Sequence, residues 1–532
     1  MPTSLQGIAQ KAKSQKQYRF RNLYGMRNAD VLRDCWRAIK KHAAYGVDRV
    51  SAQEYAHNLE DNITRLVERL TSKSYRAKLV RRHYIPKGGG KVRPLGIPVV
   101  EDKLVQLAVT RLLTAIYEQD FLRCSYGYRP HVGALDAVDA LTIKLQFGRY
   151  NWVVEADITG FFDHIDHEWI LRMLAERIDD RALIRLIKKW LKAGVLDTDG
   201  TVRHPATGSP QGGVVSPILA NVYLHSALDL WFEKVVKRHC HGEACLIRYA
   251  DDYVCAFEQR EDAERFYTVL GQRLRKFGLE LSGDTTRLLP FSRRPAAAPT
   301  RCEFLGFEFH WGKDRAGKEH LKRRTSRQKL RNSLKRFTTW CKEHRHLRLR
   351  VLFERLHIKL RGYYNYYGVH GNTASLQQFF HRAIRILMKW LNRRSQRRGY
   401  NWHGYTEVLK HFKVERPRIV GRPRPKKAVL MAEAHMRKRV CLKSPVRENR
   451  TPGSVRGRSG NWPSYRDGLT TLGWLHVPSR PSRPGIRRVR HRQSLKRSPP
   501  VTTRQSAQRG AQCRQHAHGS RRQCILRCRA HR

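Results

Sequence analysis

The chain has 532 residues, with 106 Lys and Arg against 45 Asp and Glu, a formal net charge of +61 and an isoelectric point near 10.8, so a polyanionic partner is expected. Eleven scattered cysteines in no framework spacing argue against a disulfide-stapled secreted module, the opening MPTSLQGIAQKAKSQ lacks the apolar stretch of a secretory signal, and no run of about 18 apolar residues could span a bilayer. Hydrophobic residues make up 40% of the chain, too many for disorder throughout, so the expectation is a soluble, cytoplasmic nucleic-acid-binding protein of enzyme size.

Residues 26–70 read as helices: Leu32, Trp36 and Ile39 recur on one face, and Leu59, Ile63, Leu66, Val67 and Leu70 on another. Tyr45-Gly46-Val47-Asp48 is the turn between them. Residues 79–97 then read as strand, Gly-rich turn, strand (LVRRHYIP, KGGG, KVRPLGIP), and residues 101–118 as a helix through Leu104, Leu107, Ala108, Leu112 and Ala115. Helices, a hairpin, helices and then strand–helix alternation predict an α+β fold.

The stretch WVVEADITGFF from Trp152 predicts a strand running into a turn. Alternate residues share a face, which leaves Asp157 at the strand end with Glu155 on its side. About 90 residues later, CLIRYADDYVCAF (245–257) has two apolar arms around Ala250-Asp251-Asp252, a hairpin with adjacent acids at its tip. Three carboxylates brought together need cations, and Mg²⁺ is the hard ion suited to oxygen donors; two such ions support nucleotidyl transfer. Spacing alone equally allows Asp157 to cap the following turn and the acid pair to be a solvated tip.

The surrounding motifs bear on that choice. Tyr249-Ala250-Asp251-Asp252 behind an apolar strand, with the acidic strand end upstream, resembles the catalytic motif pair of reverse transcriptases. GSPQGGVVSPILANVYLHSALD (208–229) is similar to the segment joining them. YIPKGGGKVRPLGIP, EDKLVQ (101–106), SYGYRP (125–130), CEFLGFEF (302–309), LRGYYNYYGV (360–369) and LMKWLNRRSQRR (387–398) resemble, in order, the fingers, primer-side hairpin and maturase domain of group II intron-encoded reverse transcriptases. The resemblance covers about residues 20–420.

It implies a right-hand polymerase, fingers and palm followed by a helical thumb or maturase domain. The expected divisions are 1–65 for an N-terminal helical extension, 66–310 for fingers and palm, 322–420 for the thumb, and 421–532 for a basic disordered tail. It further implies Asp157, Asp251 and Asp252 as catalytic and metal residues with two Mg²⁺ ions, the carbonyl of Ile158 completing one metal shell. Lys87 and Arg93 would meet the triphosphate of an incoming dNTP, Phe162 would exclude a ribose 2′-hydroxyl, and Gln211 and Gly212 would face the template and the new base. Ser216 reads as a helix N-cap, with Pro217 at the first helical position. One position departs from the pattern: in LELSGDTTRLL (279–289), Thr285 stands where a lysine is expected, and the neighbouring Arg287 is a poor proton donor.

Between Lys322 and Arg398, basic residues interleave with aromatics, a pattern suited to stacking bases and holding phosphates; Arg361, Tyr364, Arg393, Arg394 and Arg397 are the expected RNA contacts. Leu352, Leu356, Leu360 and Tyr364 also read as a core stripe. The implied partners are group II intron RNA, a DNA target or primer and dNTPs, and no membrane, within an intracellular ribonucleoprotein. No paired Cys-x-x-Cys of an appended nuclease is found, so no endonuclease domain is expected. From Cys441 to Arg532, 22 Lys and Arg face two acids with no sustained period, hence the expected disorder. Two alternatives share these residues: a splicing-only RNA-binding maturase with weak polymerase activity, and a reverse transcriptase of another retroelement.

Overall fold

The computed structural model describes residues 4–420 apart from 27, 89–90, 294–299, 315 and 395–398, and not the side chains at 26, 87 and 91. The 421–532 tail, Arg397 and the Lys87 side chain therefore lie outside the described residues.

Four helices lead: α1 (Leu5–Ser14), α2 (Ala29–Ala38), α3 (Ala52–His57) and α4 (Leu59–Thr71). Side-chain caps start three of them. Ser4 accepts from the Gly7 N–H and Asn28 from the Val31 N–H, and Ser51 and Glu54 form a reciprocal capping box. The expected hairpin follows as β1 (Val80–Gly88) and β2 (Lys91–Ile97), antiparallel, with Ile85 opposite Arg93. The chain continues through α5 (Val100–Tyr117) and α6 (Ala134–Phe147) to β3 (Trp152–Ala156), then α7 (His167–Ala175), α8 (Arg181–Leu191), β4 (Val195–Leu196) and β5 (Val202–Arg203). One helix then runs from α9 (Ser216–Leu224) to α10 (Lys237–His239), interrupted by two π-turns at His225–Asp229 and Phe232–Val236.

The second hairpin is β6 (Ala244–Tyr249) and β7 (Asp252–Phe257), followed by α11 (Arg260–Arg275) and β8 (Arg287–Pro290). These strands form the central antiparallel sheet in the order β6-β7-β3-β8. Both faces are buried, because alternate residues serve two cores. Val153, Val254 and Ala256 pack with Ala137, Val138, Leu141 and Leu145 of α6, while on the other side the Phe257 ring meets Phe266 of α11, centroids 5.1 Å apart. A three-stranded sheet, β9 (Cys302–Phe304), β10 (Phe307–Lys313) and β11 (Glu319–Thr325), adds Phe307, Phe309 and Trp311 to the first of these cores. The remaining helices, α12 (Arg327–His344), α13 (Leu349–Tyr367), α14 (Thr373–Leu391) and α15 (Trp402–His411), enclose a separate core around Phe337, Leu356, Leu360, Tyr364 and Phe379.

The mixture of helix and sheet is as expected, but two boundaries are not. A division after residue 65 cuts α4, whose Ile63, Leu66 and Leu70 are buried together as one stripe. A division after 310 cuts β10, which is hydrogen-bonded along Phe307–Lys313 to β11. No helix among the described residues is long and apolar enough to cross a membrane.

Candidate active site

β3 pairs antiparallel with β7, Ala156 opposite Tyr253. The next step of that register brings Asp157, one residue beyond β3, beside Asp252, the first residue of β7. The β6–β7 turn is tight: Tyr249 pairs with Asp252, and Ala250 takes the left-handed φ of 58°. The three acids thus converge at one end of the central sheet. Their electrostatics record it. Burial, with Asp157 and then Asp251 beside it, pushes the Asp252 carboxyl up to about 7, against a hydrogen bond from the Leu305 N–H.

Among the described residues no group of three or more His, Cys, Asp or Glu side chains is arranged to hold a metal ion. The site instead offers hard carboxylate oxygens whose mutual repulsion a divalent cation would relieve, a donor set that fits Mg²⁺. The Ile158 side chain is buried, and its isolated bridge to Leu281 is closed by the carbonyls of Asp157 and Glu280, accepting from Ser282 and Thr159 at 2.9 Å each. The carbonyl of Ile158 is not used in that bridge.

Phe161 and Phe162 part company. Phe161 is buried, whereas Phe162 is half-exposed and meets Phe161 edge-on at 5.4 Å and Tyr128 at 6.3 Å. Tyr128 is the residue the sequence reading passed over. It lies inside the quoted SYGYRP, half-exposed with a φ of 56°. Burial and then Asp251 raise its hydroxyl, and Arg93 opposes them. One ring therefore adjoins Phe162 and lies within electrostatic reach of Asp251 and of exposed Arg93. Its positive φ was the hidden signal, since Tyr seldom adopts it outside a constrained site.

The loop 208–215 is braced from three directions. The Gln211 carbonyl accepts from Gly96 of β2 at 2.6 Å, the Ser209 N–H donates to the Phe162 carbonyl at 2.7 Å, and the Val214 N–H to Gln106 Oε1 of α5 at 2.8 Å. Gly212 has a φ of 111°, and a Cβ there would stand 2.5 Å from the Gly96 carbonyl. Its glycine is thus required by the approach of β2. Ser216 is not the N-cap. The helix starts at Ser216 itself after Val215, and the Ser216 hydroxyl donates to the Pro210 carbonyl at 2.9 Å, closing the loop instead. Thr285 is exposed, and Arg287 does not stand in for the missing lysine: its guanidinium is 3.3 Å from buried Glu155, its register partner.

The expected RNA contacts need correction. Tyr364 is fully buried, its hydroxyl donating to the Glu415 carbonyl at 3.3 Å; the core stripe claimed it. Arg361 is paired with Glu415 at 2.6 Å, Arg394 donates to the Leu347 carbonyl at 2.7 Å, and Arg393 lies 5.5 Å from the Trp390 ring centre. Four cations with no acid partner among the described residues gather elsewhere. Lys322, Arg327, Arg331 and Arg382, with His310 and Gln378, line an open cleft of about 710 Å³ between β10–β11, α12 and α14. Burial, then Arg324 and Arg301, hold His310 below the usual histidine range.

The reverse transcriptase (RNA-dependent DNA polymerase) family model matches residues 85–309. Over 404 residues the chain is 30% identical to the group II intron-encoded protein LtrA of Lactococcus lactis subsp. cremoris, covering 60% of this chain and 65% of that protein. It is 38% identical over 239 residues to the protein YkfC of Escherichia coli, covering 39% and 62%, and 34% identical over 226 residues to a 91 kDa protein in the cob intron of Schizosaccharomyces pombe, covering 42% and 27%. The chain thus spans just under two thirds of the first of these relatives.

Proposed function

We propose that this chain, which carries a reverse transcriptase domain and is related to the group II intron-encoded proteins, is an RNA-directed DNA polymerase that also binds its intron RNA and assists its splicing. The observation that carries the polymerase reading is the β3–β7 pairing that gathers Asp157, Asp251 and Asp252 at one sheet end. On this reading β1–β2 forms the fingertips, the central sheet the palm, and α12–α15 the thumb or maturase half.

Asp157 and Asp251, with the Ile158 carbonyl, would hold two Mg²⁺ ions, which when bound supply activation of the primer 3′-hydroxyl and neutralise the departing pyrophosphate. Asp252, held by the Leu305 N–H, supports the pair. Arg93, and Lys87 from the opposite strand of the fingertips, bring positive charge to the triphosphate. Phe162, kept upright by Phe161 and Tyr128, blocks the place of a 2′-hydroxyl and so favours dNTPs. Gln211 and Gly212 lay their backbone against the template and the new base. Neither Thr285 nor Arg287 can hand a proton to pyrophosphate, which predicts slow turnover. The basic cleft supports nucleic-acid binding through phosphates.

The test is Asp251→Ala combined with Asp252→Ala. DNA synthesis on an RNA template should fall by several orders of magnitude to background, while RNA affinity stays within about twofold, because the acids serve metals and not the phosphate grip. Synthesis surviving in the double variant would refute the assignment.

A further inference from the structure

Arg248, near the end of β6, is fully buried, and so is Asp229. The guanidinium is completely engaged. Nε and Nη2 donate to the two carboxylate oxygens of Asp229 at 2.7 and 2.6 Å, Nη2 also to Ser125 Oγ at 2.8 Å, and Nη1 to Asn221 Oδ1 at 3.3 Å and to the Ala250 carbonyl at 3.0 Å. A buried pair of this kind is a poor source of stability, since an apolar pair of similar volume commonly does as well or better. What an apolar pair cannot do is hold the Ala250 carbonyl.

Ala250 is the left-handed residue on which β6 turns into β7, and the next two residues are Asp251 and Asp252. Its far side is also enclosed. A Cβ on Gly127 would come 2.3 Å from the Ala250 nitrogen, and Asn221 Nδ2 donates to the Gly127 carbonyl at 2.7 Å. The Arg248 backbone is tied to the same segment, its N–H donating to Cys124 at 2.7 Å and its carbonyl accepting from Tyr126 at 2.9 Å. Ser125, Ala250, and Asn221 and Asp229 of one helix come from three places in the chain and meet on one planar group. Lysine, with a single charged nitrogen, could not reach them all.

We propose that Arg248 is a positioning residue: neutralised by Asp229, its guanidinium fixes the Ala250 turn and thereby the aim of Asp251 and Asp252, and that aim, not stability, is what the buried pair supplies. The activity part of this rests on the polymerase reading; the conformational part does not.

The experiment compares the full chain with Arg248→Met/Asp229→Leu and with Arg248→Lys. The apolar pair removes the ion pair and also the guanidinium's bonds to Ser125, Asn221 and Ala250, so it should stay folded, melt within a few degrees of the parent and bind primer–template as before. Amide hydrogen exchange across residues 249–253 should quicken, kcat should fall at least tenfold, and the Mg²⁺ concentration for half-maximal rate should rise severalfold. Arg248→Lys should move the exchange, kcat and Mg²⁺ dependence the same way. If the apolar pair does not fold, Arg248→Lys decides on those readouts. Unchanged exchange at the turn together with unchanged kcat in the folded variant overturns the proposal. Asp251→Ala is run alongside: if it retains synthesis the polymerase reading fails, and the exchange data still report whether Arg248 holds the turn.

Discussion

Where β3 stops and β7 starts, strand pairing gathers charges of one sign, and burial first, then Asp157 and Asp251, push the Asp252 carboxyl up to about 7. From β11 through the helical half the opposite sign dominates, and there the chain divides its cations. Arg361, Arg323 and Arg324 are paired with Glu415, Asp139 and Glu308, whereas Lys322, Arg327, Arg331 and Arg382 have no acid partner among the described residues and share a cleft. The acid site is defined by local order along two strands, the basic site by which cations tertiary packing leaves over. The first should depend on single atoms, the second on summed charge.

The largest expected effect tests the basic side. Changing Lys322, Arg327, Arg331 and Arg382 together to Ala should flatten the dependence of log affinity on log salt by up to about 0.9 for each lost duplex phosphate contact, or about 0.7 on a single strand. In moderate salt that is a loss on the order of a hundredfold. Arg361→Ala with Arg394→Ala, equal in type and exposed, should change the slope little; an equal loss would erase the distinction between paired and spare cations.

A middle effect is expected on the acid side. Phe162→Ala opens the space beside Tyr128 and should raise the ratio of ribonucleotide to deoxyribonucleotide incorporation by about 10- to 100-fold, the range expected when a shape-selective contact is removed. A folded variant with an unchanged ratio would move the gate to another group.

The smallest effect is on stability. An unfolded Asp titrates near 3.9, whereas folded Asp252 titrates near 7. Between those values the native state holds the proton that the unfolded state has released, so this group's contribution falls as pH rises through that window. Without divalent ion, Asp252→Asn should remove part of the melting-temperature decline between pH 4 and 7, by a few degrees. Mg²⁺ should shrink the same decline in the unmodified protein. Parallel curves for the two proteins would show that the acids do not feel one another.

This division explains what could be read from the chain. The hairpins at 79–97 and 245–257 were legible because a period of two and a turn signal fix both strand and facing, and β3 carried Asp157 to its place by the same rule. Tyr364 was not legible, because a tyrosine at helical spacing looks the same whether it stacks on a base or fills a core. The cleft cations were not singled out within the basic 322–398 stretch for a related reason: a lysine does not announce whether an acid distant in sequence will reach it. The N-terminal boundary slipped into α4 because a continuous amphipathic stripe gives no mark inside itself, and Ser216 slipped by one position because its hydroxyl was claimed by the Pro210 carbonyl.

The two π-turns at 225–229 and 232–236 carry a consequence for chain length. Each holds one residue more than an α-turn would, so the helix from 216 to 239 is two residues overfull. Asp229 closes the first of these turns and reaches Arg248 from there. Deleting one residue from 225–228 would let that turn relax to ordinary winding, and because the wide turn is what absorbs the surplus residue, everything downstream would keep its face of the helix and the carboxylate would still meet its guanidinium. A counterpart lacking one residue here could keep the buried arginine with the same companion. The surplus residue in the helix and the charge beneath the β6–β7 turn can therefore be gained or lost separately.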